Sequence, residues 1–468
     1  MKTPFFVKPP LHIYSGIFRN KTVLLSSIME KVSLKEINKI ALPAIIAGIS
    51  EPIMSMADTA IVGNMPINST EGLAAIGTSS SFYLIIIWVL AQTKSAISTI
   101  VSKYCGAKDL GTIKSLIPQA IFLNILLGII FYTGTIFFTQ PIFEFYNLKG
   151  IELSYAKEYY EIRAIGFPFI LAAFSIFGIF RGLQNTKWAM VISITGASFN
   201  ILFDFIFVYG IEGIFPAMNV KGAAIASLLS QIIIFMLAVI YLFKKTDFNL
   251  KLSKKINKEL PVLIKLSLNL FLRTLALNVA MFVANKLTNG YGKSYNAAHQ
   301  IAWQIWLFSA FFIDGYSSAG NAISGKLLGE KNFGKLTLLI KDLSKYNVLV
   351  ATSLAIIYAV LYPFIGHIFS QDESVLTLFS GIFWIVIISQ PLNAIAFTYD
   401  GVFKGLGEAA FLRNLLLIAT LLGYIPVVFI LDYFDFKLTA IWSGFVVWMI
   451  FRSVIPYLYF NKKYASIV

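Results

Sequence analysis

Glu51 and Asp58 stand in Ala41-Leu-Pro-Ala-Ile-Ile-Ala-Gly-Ile-Ser-Glu-Pro-Ile-Met-Ser-Met-Ala-Asp-Thr-Ala-Ile-Val-Gly-Asn64, a run otherwise apolar enough to cross a bilayer. A crossing takes about 20 helical residues, so both acids should lie within the hydrocarbon, Glu51 the nearer to one end. Seven residues make about 20° less than two full turns, which puts them on one helical face. A charge at that depth costs roughly 2.5–3.5 kcal/mol, so function is the first reading of such residues. Further along, Ser198-Phe-Asn-Ile-Leu-Phe-Asp-Phe205 sets Asn200 and Asp204 four residues apart, again on one face. Carboxylates gathered in low dielectric cannot all ionise. Such a cluster holds a proton, or a small hard cation on its oxygens. No dedicated metal site is implied, but Na⁺ at Asp58, Asn200 and Asp204 is admissible. The competing reading is a neutral polar contact that locks helices together. Lys94 precedes Gly106 by twelve residues, about 18 Å of helix, so it should face a water-filled cavity or pair with an acid.

The second half is polar in another way. Arg273 and Asn278 fall in one apolar segment, His299, Gln300, Gln304 and Asp314 in the next, and Asn393 and Asp400 in a later one. Asp314 and Asp400 are the strongest candidates there. Arg273 could neutralise either, which would make that pair structural. Lys94, Arg273, Asp314, Asp400 and Gln300 are the candidates for lining a substrate cavity, whereas His299 reads as an interface residue. Enzyme signatures are missing. The chain has three His and one Cys, and no HExxH, CxxC or P-loop. Gly315-Tyr-Ser-Ser-Ala-Gly320 misses the nucleophile-elbow spacing by one residue. No cofactor is expected, and any energy for work must come from an ion gradient.

These residues need elements to hold them. Of 468 residues 57% are hydrophobic and 13% charged, with mean hydropathy +0.76, against roughly 25% charged in soluble domains. The class is an all-α polytopic membrane protein. Apolar segments fall near 36–62, 73–101, 114–139, 155–180, 187–210 and 221–243, then 260–288, 296–325, 337–366, 374–403, 409–431 and 438–460. Residues 1–35 read as a cytoplasmic arm, 36–243 and 260–461 as two six-helix lobes, and 244–259 as a basic linker. Alternate loops carry the Lys and Arg, including Lys103, Lys108 and Lys114, Arg181 and Lys187, and the linker lysines; the loops near 63–72 and 367–373 carry none. The positive-inside rule then puts both termini in the cytoplasm and explains the net charge of +15 without nucleic acid. The halves repeat at an offset of 223: Gly106-Ala-Lys-Asp-Leu-Gly111 on Gly329-Glu-Lys-Asn-Phe-Gly334, Pro168 on Pro391, and Phe180-Arg-Gly-Leu183 on Phe403-Lys-Gly-Leu406. Six spans per copy make the repeats parallel, an arrangement of secondary transporters. The Gly178/Gly182 and Gly401/Gly405 pairs read as close helix packing.

Met56-Ala-Asp-Thr-Ala-Ile-Val-Gly63, Cys105-Gly-Ala-Lys-Asp109, Phe180-Arg-Gly-Leu-Gln184 and Asn200-x-x-x-Asp204 together resemble the multidrug and toxic compound extrusion (MATE) transporters. Asp314-Gly315 and Asp400-Gly401 resemble its DinF-like branch. The resemblance spans about 36–460. It implies twelve helices in two pseudo-symmetric lobes around a cleft of alternating access. It also implies antiport of H⁺ or Na⁺ against small organic, often cationic, compounds, by a monomer in the inner membrane of a prokaryote. Asp58, Asn200 and Asp204 would form the coupling site, with Ser227 beside them. Glu51 stands where relatives are expected to carry glutamine. The alternative within the fold is a flippase or exporter of a lipid-linked or anionic metabolite.

Overall fold

The computed structural model describes residues 32–65 and 68–467; most of the expected N-terminal arm, residues 1–31, lies outside them. Twelve long helical units follow one another. In the N-lobe they are α1 (Leu34–Val62), α2 (Ser69–Gly106), α3 (Leu116–Ile136), α4 (Gly150–Ala164 and Phe167–Gly182), α5 (Lys187–Tyr209) and α6 (Asn219–Lys245). In the C-lobe they are α7 (Leu260–Tyr291), α8 (Lys293–Gly329), α9 (Phe333–Val360), α10 (Glu373–Gly405), α11 (Ala409–Tyr433) and α12 (Leu438–Lys463). Ten are each long and apolar enough to cross a membrane, and the two parts of α4 qualify together, bent by 47°. The remaining unit, α8, is 37 residues long, so its length suffices although its sequence is more polar.

Local chemistry sets several boundaries. Ser33 and Glu36 form a reciprocal capping box that starts α1, satisfying two of the orphan N–H groups of a helix start. α1 continues through Pro43 and Pro52, although each proline removes a backbone donor. The bend in α4 falls at Gly166, where a Cβ would lie 1.7 Å from the Gln231 side-chain oxygen of α6. Any larger residue would have to push that side chain aside. A six-residue π-helical turn, Ala419–Tyr424, interrupts α11.

The two lobes use their glycines alike. A Cβ at Gly178 would meet Lys94 O at 2.5 Å and one at Gly182 would meet Val101, so α4 lies directly on α2. Gly401 and Gly405 bring α10 onto Ser317 and Asn321 of α8 in the same way. Gly106 and Gly329 then join the lobes: a Cβ on either would be 1.9 Å from a backbone oxygen, of Lys326 or Lys103 respectively. Thr99 donates to Lys404 O at 2.7 Å, Gln184 to Ala322 O at 2.8 Å, and Tyr316 to Asn38 at 3.0 Å. Among the described residues these side-chain bonds between the lobes all lie in the half of the molecule nearer the basic loops. The linker also docks there, with Asn257 bonded to Thr112 and Ser115 and Glu259 accepting from Tyr104 at 2.7 Å.

Candidate coupling site and cavity

α1, α4, α5 and α6 converge on Asp58, which is fully buried. Its Oδ1 accepts from Asn200 Nδ2 at 3.2 Å. Its Oδ2 accepts from Ser227 Oγ at 2.7 Å, from the Tyr159 hydroxyl and from Arg163 Nη1 at 3.3 Å. The structure therefore brings Asp58, Asn200 and Ser227 together, the residues that the family resemblance groups. Asp204, also fully buried, has its carboxyl against that of Asp58 and within electrostatic reach of Arg163, yet among the described residues no donor reaches either of its oxygens. Glu51 is buried, and its Oε2 is 3.8 Å from Arg163 Nη2 with no hydrogen bond to either oxygen. The shared face of Glu51 and Asp58 is real, because one guanidinium touches both.

One expectation is corrected and another narrowed. Glu51 is not the acid nearer an end: α1 ends at Val62, one turn after Asp58. The helix runs on from Leu34 without a break at either proline, so Glu51 falls in its interior. Lys94 does not pair with an acid; among the described residues no carboxylate lies within ion-pair distance of it, and its ammonium sits 5.1 Å from the centre of the Phe174 ring.

Arg163 and Tyr159 were missed in the sequence. Arg163 is fully buried, stacks 4.5 Å from the Tyr83 ring centre, and also donates to Ser80 at 3.2 Å and to the Tyr159 hydroxyl. The available signal was an arginine inside the 155–180 segment, which the rule that singled out Asp58 covers equally. At 3.3 Å and an effective dielectric near 20, the Arg163–Asp58 attraction is about 5 kcal/mol before desolvation. Three carboxylates and one guanidinium leave the site two charges negative if all are ionised. Two of those carboxylates, Asp204 and Glu51, keep oxygens without donors.

The C-lobe has the opposite polarity. Asp400 is clamped by Arg273 (Nη2 at 2.5 Å, Nε at 2.8 Å) and by Lys404 at 2.6 Å, so the Arg273 pairing makes it a structural acid. Arg452, absent from the sequence candidates, is buried, has no carboxylate in ion-pair range among the described residues, and packs 4.5 Å from the Trp448 ring centre. Asp314 is exposed and is within electrostatic reach of Lys94, Arg181 and Lys404. These charges form one group across both lobes. Gln300 stands apart, donating to Asn285 at 2.9 Å and sharing no hydrogen-bond partner with that group. The buried His299 leaves its Nδ1 without a partner, so it is less satisfied than an ordinary interface residue.

Paired helical lobes joined at one end, with an acidic pocket inside the first, define a multi-pass membrane transporter rather than an enzyme. The MatE family model matches residues 43–206 and 270–433, one match in each half, and the chain belongs to that family. Among curated relatives, the probable multidrug resistance protein NorM of Thermotoga maritima is 27% identical over 91% of this chain and 92% of its own. Protein DETOXIFICATION 42 of Arabidopsis thaliana is 24% identical over 97% and 95%. The multidrug export protein MepA of Staphylococcus saprophyticus is 26% identical over 74% and 76%. The fold matches a solved MATE structure in the bent conformation with a TM-score of 0.85, at 22% identity over 92% of this chain and 95% of that one.

Proposed function

We propose that the protein is a cation-coupled antiporter, using H⁺ or Na⁺, that exports small organic compounds by alternating access. The observation that carries this reading is the pair of buried carboxylates, Asp204 and Glu51, left without donors beside the fully satisfied Asp58. Unpartnered buried acids are costly and suit a site that gains and loses a cation. The multidrug relatives favour drug-like, often cationic cargo. The basic loops support a reading with both termini in the cytoplasm, in the cytoplasmic membrane of a prokaryote. On that reading the seal between the lobes lies on the cytoplasmic side, the state is outward-facing, and the working unit is a monomer.

A second reading, export of an anionic or lipid-linked compound, is favoured by Lys94, Arg181 and Arg452, none of which has a carboxylate within ion-pair distance among the described residues. Dye efflux from proteoliposomes tests both. Asp58→Asn and Asp204→Asn should each abolish gradient-driven efflux, and unchanged efflux refutes the coupling role. Inhibition of efflux by an anionic lipid, relieved by Lys94→Ala, would favour the second reading; no inhibition excludes it.

A further inference from the structure

We propose that Arg163 is a tethered cation that reserves the N-lobe site for protons and excludes Na⁺, an inference that rests on the antiporter reading. The guanidinium is held on several sides at once. Nη1 reaches Asp58, Ser80 and Tyr159, Nη2 faces Glu51 at 3.8 Å, and the plane lies against Tyr83. With Arg163 in place, the oxygens of Asp58 accept from four donors: Asn200, Ser227, Tyr159 and Arg163 itself.

A dehydrated hard cation replaces its water shell with several oxygen ligands at once. Asp58 already accepts from four donors, so beside it only Asn200 Oδ1 and the two Asp204 oxygens stand without partners among the described residues, fewer than the several ligands a dehydrated ion takes; an ion bridging Asp58 and Glu51 would displace the positive charge already between them. Among the described residues no three His, Cys, Asp or Glu come together closely enough to hold a metal ion. A proton needs only one free oxygen, and Asp204 and Glu51 each have two without a partner. The titratable groups around the guanidinium are Glu51 and Asp58 from α1, Tyr83 from α2, Tyr159 on its own helix α4, and Asp204 from α5; α6 contributes only the neutral Ser227 and Gln231. Moving Arg163 to admit Na⁺ would strand it, because Glu51 and Asp58 are its only ion-pair partners among the described residues. Protonation of Asp58 would instead leave Glu51 to hold it, so the arginine can pass a change at the acid to the other side of Pro52 in α1.

Full-length purified protein tests this without transport. Thermal unfolding is measured at constant pH and ionic strength in sodium chloride and in choline chloride. Wild type should show the same midpoint in both salts, and Arg163→Lys, which keeps the charge, should behave likewise. Arg163→Gln should gain a midpoint several degrees higher in sodium chloride, lost again on adding Asp58→Asn. Sodium stabilisation of wild type that Asp58→Asn removes would overturn the proposal, whether or not Arg163→Gln folds. So would a folded Arg163→Gln protein indifferent to sodium. Because binding is read directly, loss of efflux with this salt pattern intact would count against the antiporter reading and not against the role of Arg163.

Discussion

Asp58 and Asp204 are equally buried and both are expected to be essential for coupled efflux, yet replacing them should have opposite effects on stability. Asp58 accepts four hydrogen bonds, one from a guanidinium at 3.3 Å. Asparagine keeps the shape but removes the charge, leaving Arg163 with only the 3.8 Å contact to Glu51. Breaking a buried ion pair from one side typically costs about 3–5 kcal/mol, and the Coulomb value of about 5 kcal/mol at an effective dielectric of 20 agrees in scale. Asp204 accepts nothing at either oxygen. Its amide substitute removes one of three clustered negative charges, so Asp204→Asn should be neutral or mildly stabilising. Thermal unfolding of purified protein, followed by the buried tryptophans, separates the two: Asp58→Asn should unfold markedly earlier than wild type and Asp204→Asn at or above it. The reverse order, or equal destabilisation, would refute this account of where the charge is held.

Other consequences follow from the same contacts. Asp400→Asn leaves Arg273 and Lys404 buried without their anion and should cost at least about 3–5 kcal/mol, seen as low expression and early unfolding, whereas exposed Asp314→Asn should unfold like wild type. Gly106→Ala drives a Cβ to 1.9 Å from Lys326 O, so it should open the seal between the lobes; faster maleimide labelling of the adjacent lone Cys105 would register this, and unchanged labelling would contradict it. In a Cys105→Ser background, Lys254→Cys in the linker should react with a membrane-impermeant reagent only after the cells are opened.

Much of the fold was legible because membrane spans are read from length and apolarity, and the seam from a run of lysines. The repeat emerged from glycines whose spacing is dictated by backbone contact, as Gly178 on Lys94 and Gly401 on Ser317 demonstrate. Asp58, Asn200 and Asp204 stood out because acids and amides are rare in apolar helices. Arg163 escaped because its segment was read for glycine packing alone, and because the bend at Gly166 depends on Gln231 of another helix, which no local pattern announces. The clamp on Asp400 was only half visible: Arg273 stands out as a charge in an apolar segment, while Lys404 belongs to the repeated Phe403-Lys-Gly-Leu406 turn and shows no partner in the sequence. Lys94 was legible as a deep lysine, but the choice between a cavity and an acid was not, since helix position fixes depth and not the neighbour across a lobe boundary.

The central claim is that a proton taken up at the N-lobe carboxylates, the cation that Arg163 reserves the site for, is exchanged for an organic compound, and substrate-induced proton release tests it most directly. Ethidium added to purified protein in weakly buffered, sodium-free solution should release protons from wild type and fewer or none from Asp204→Asn. Ethidium binding that releases no protons from wild type, or the same number from both, would contradict the claim.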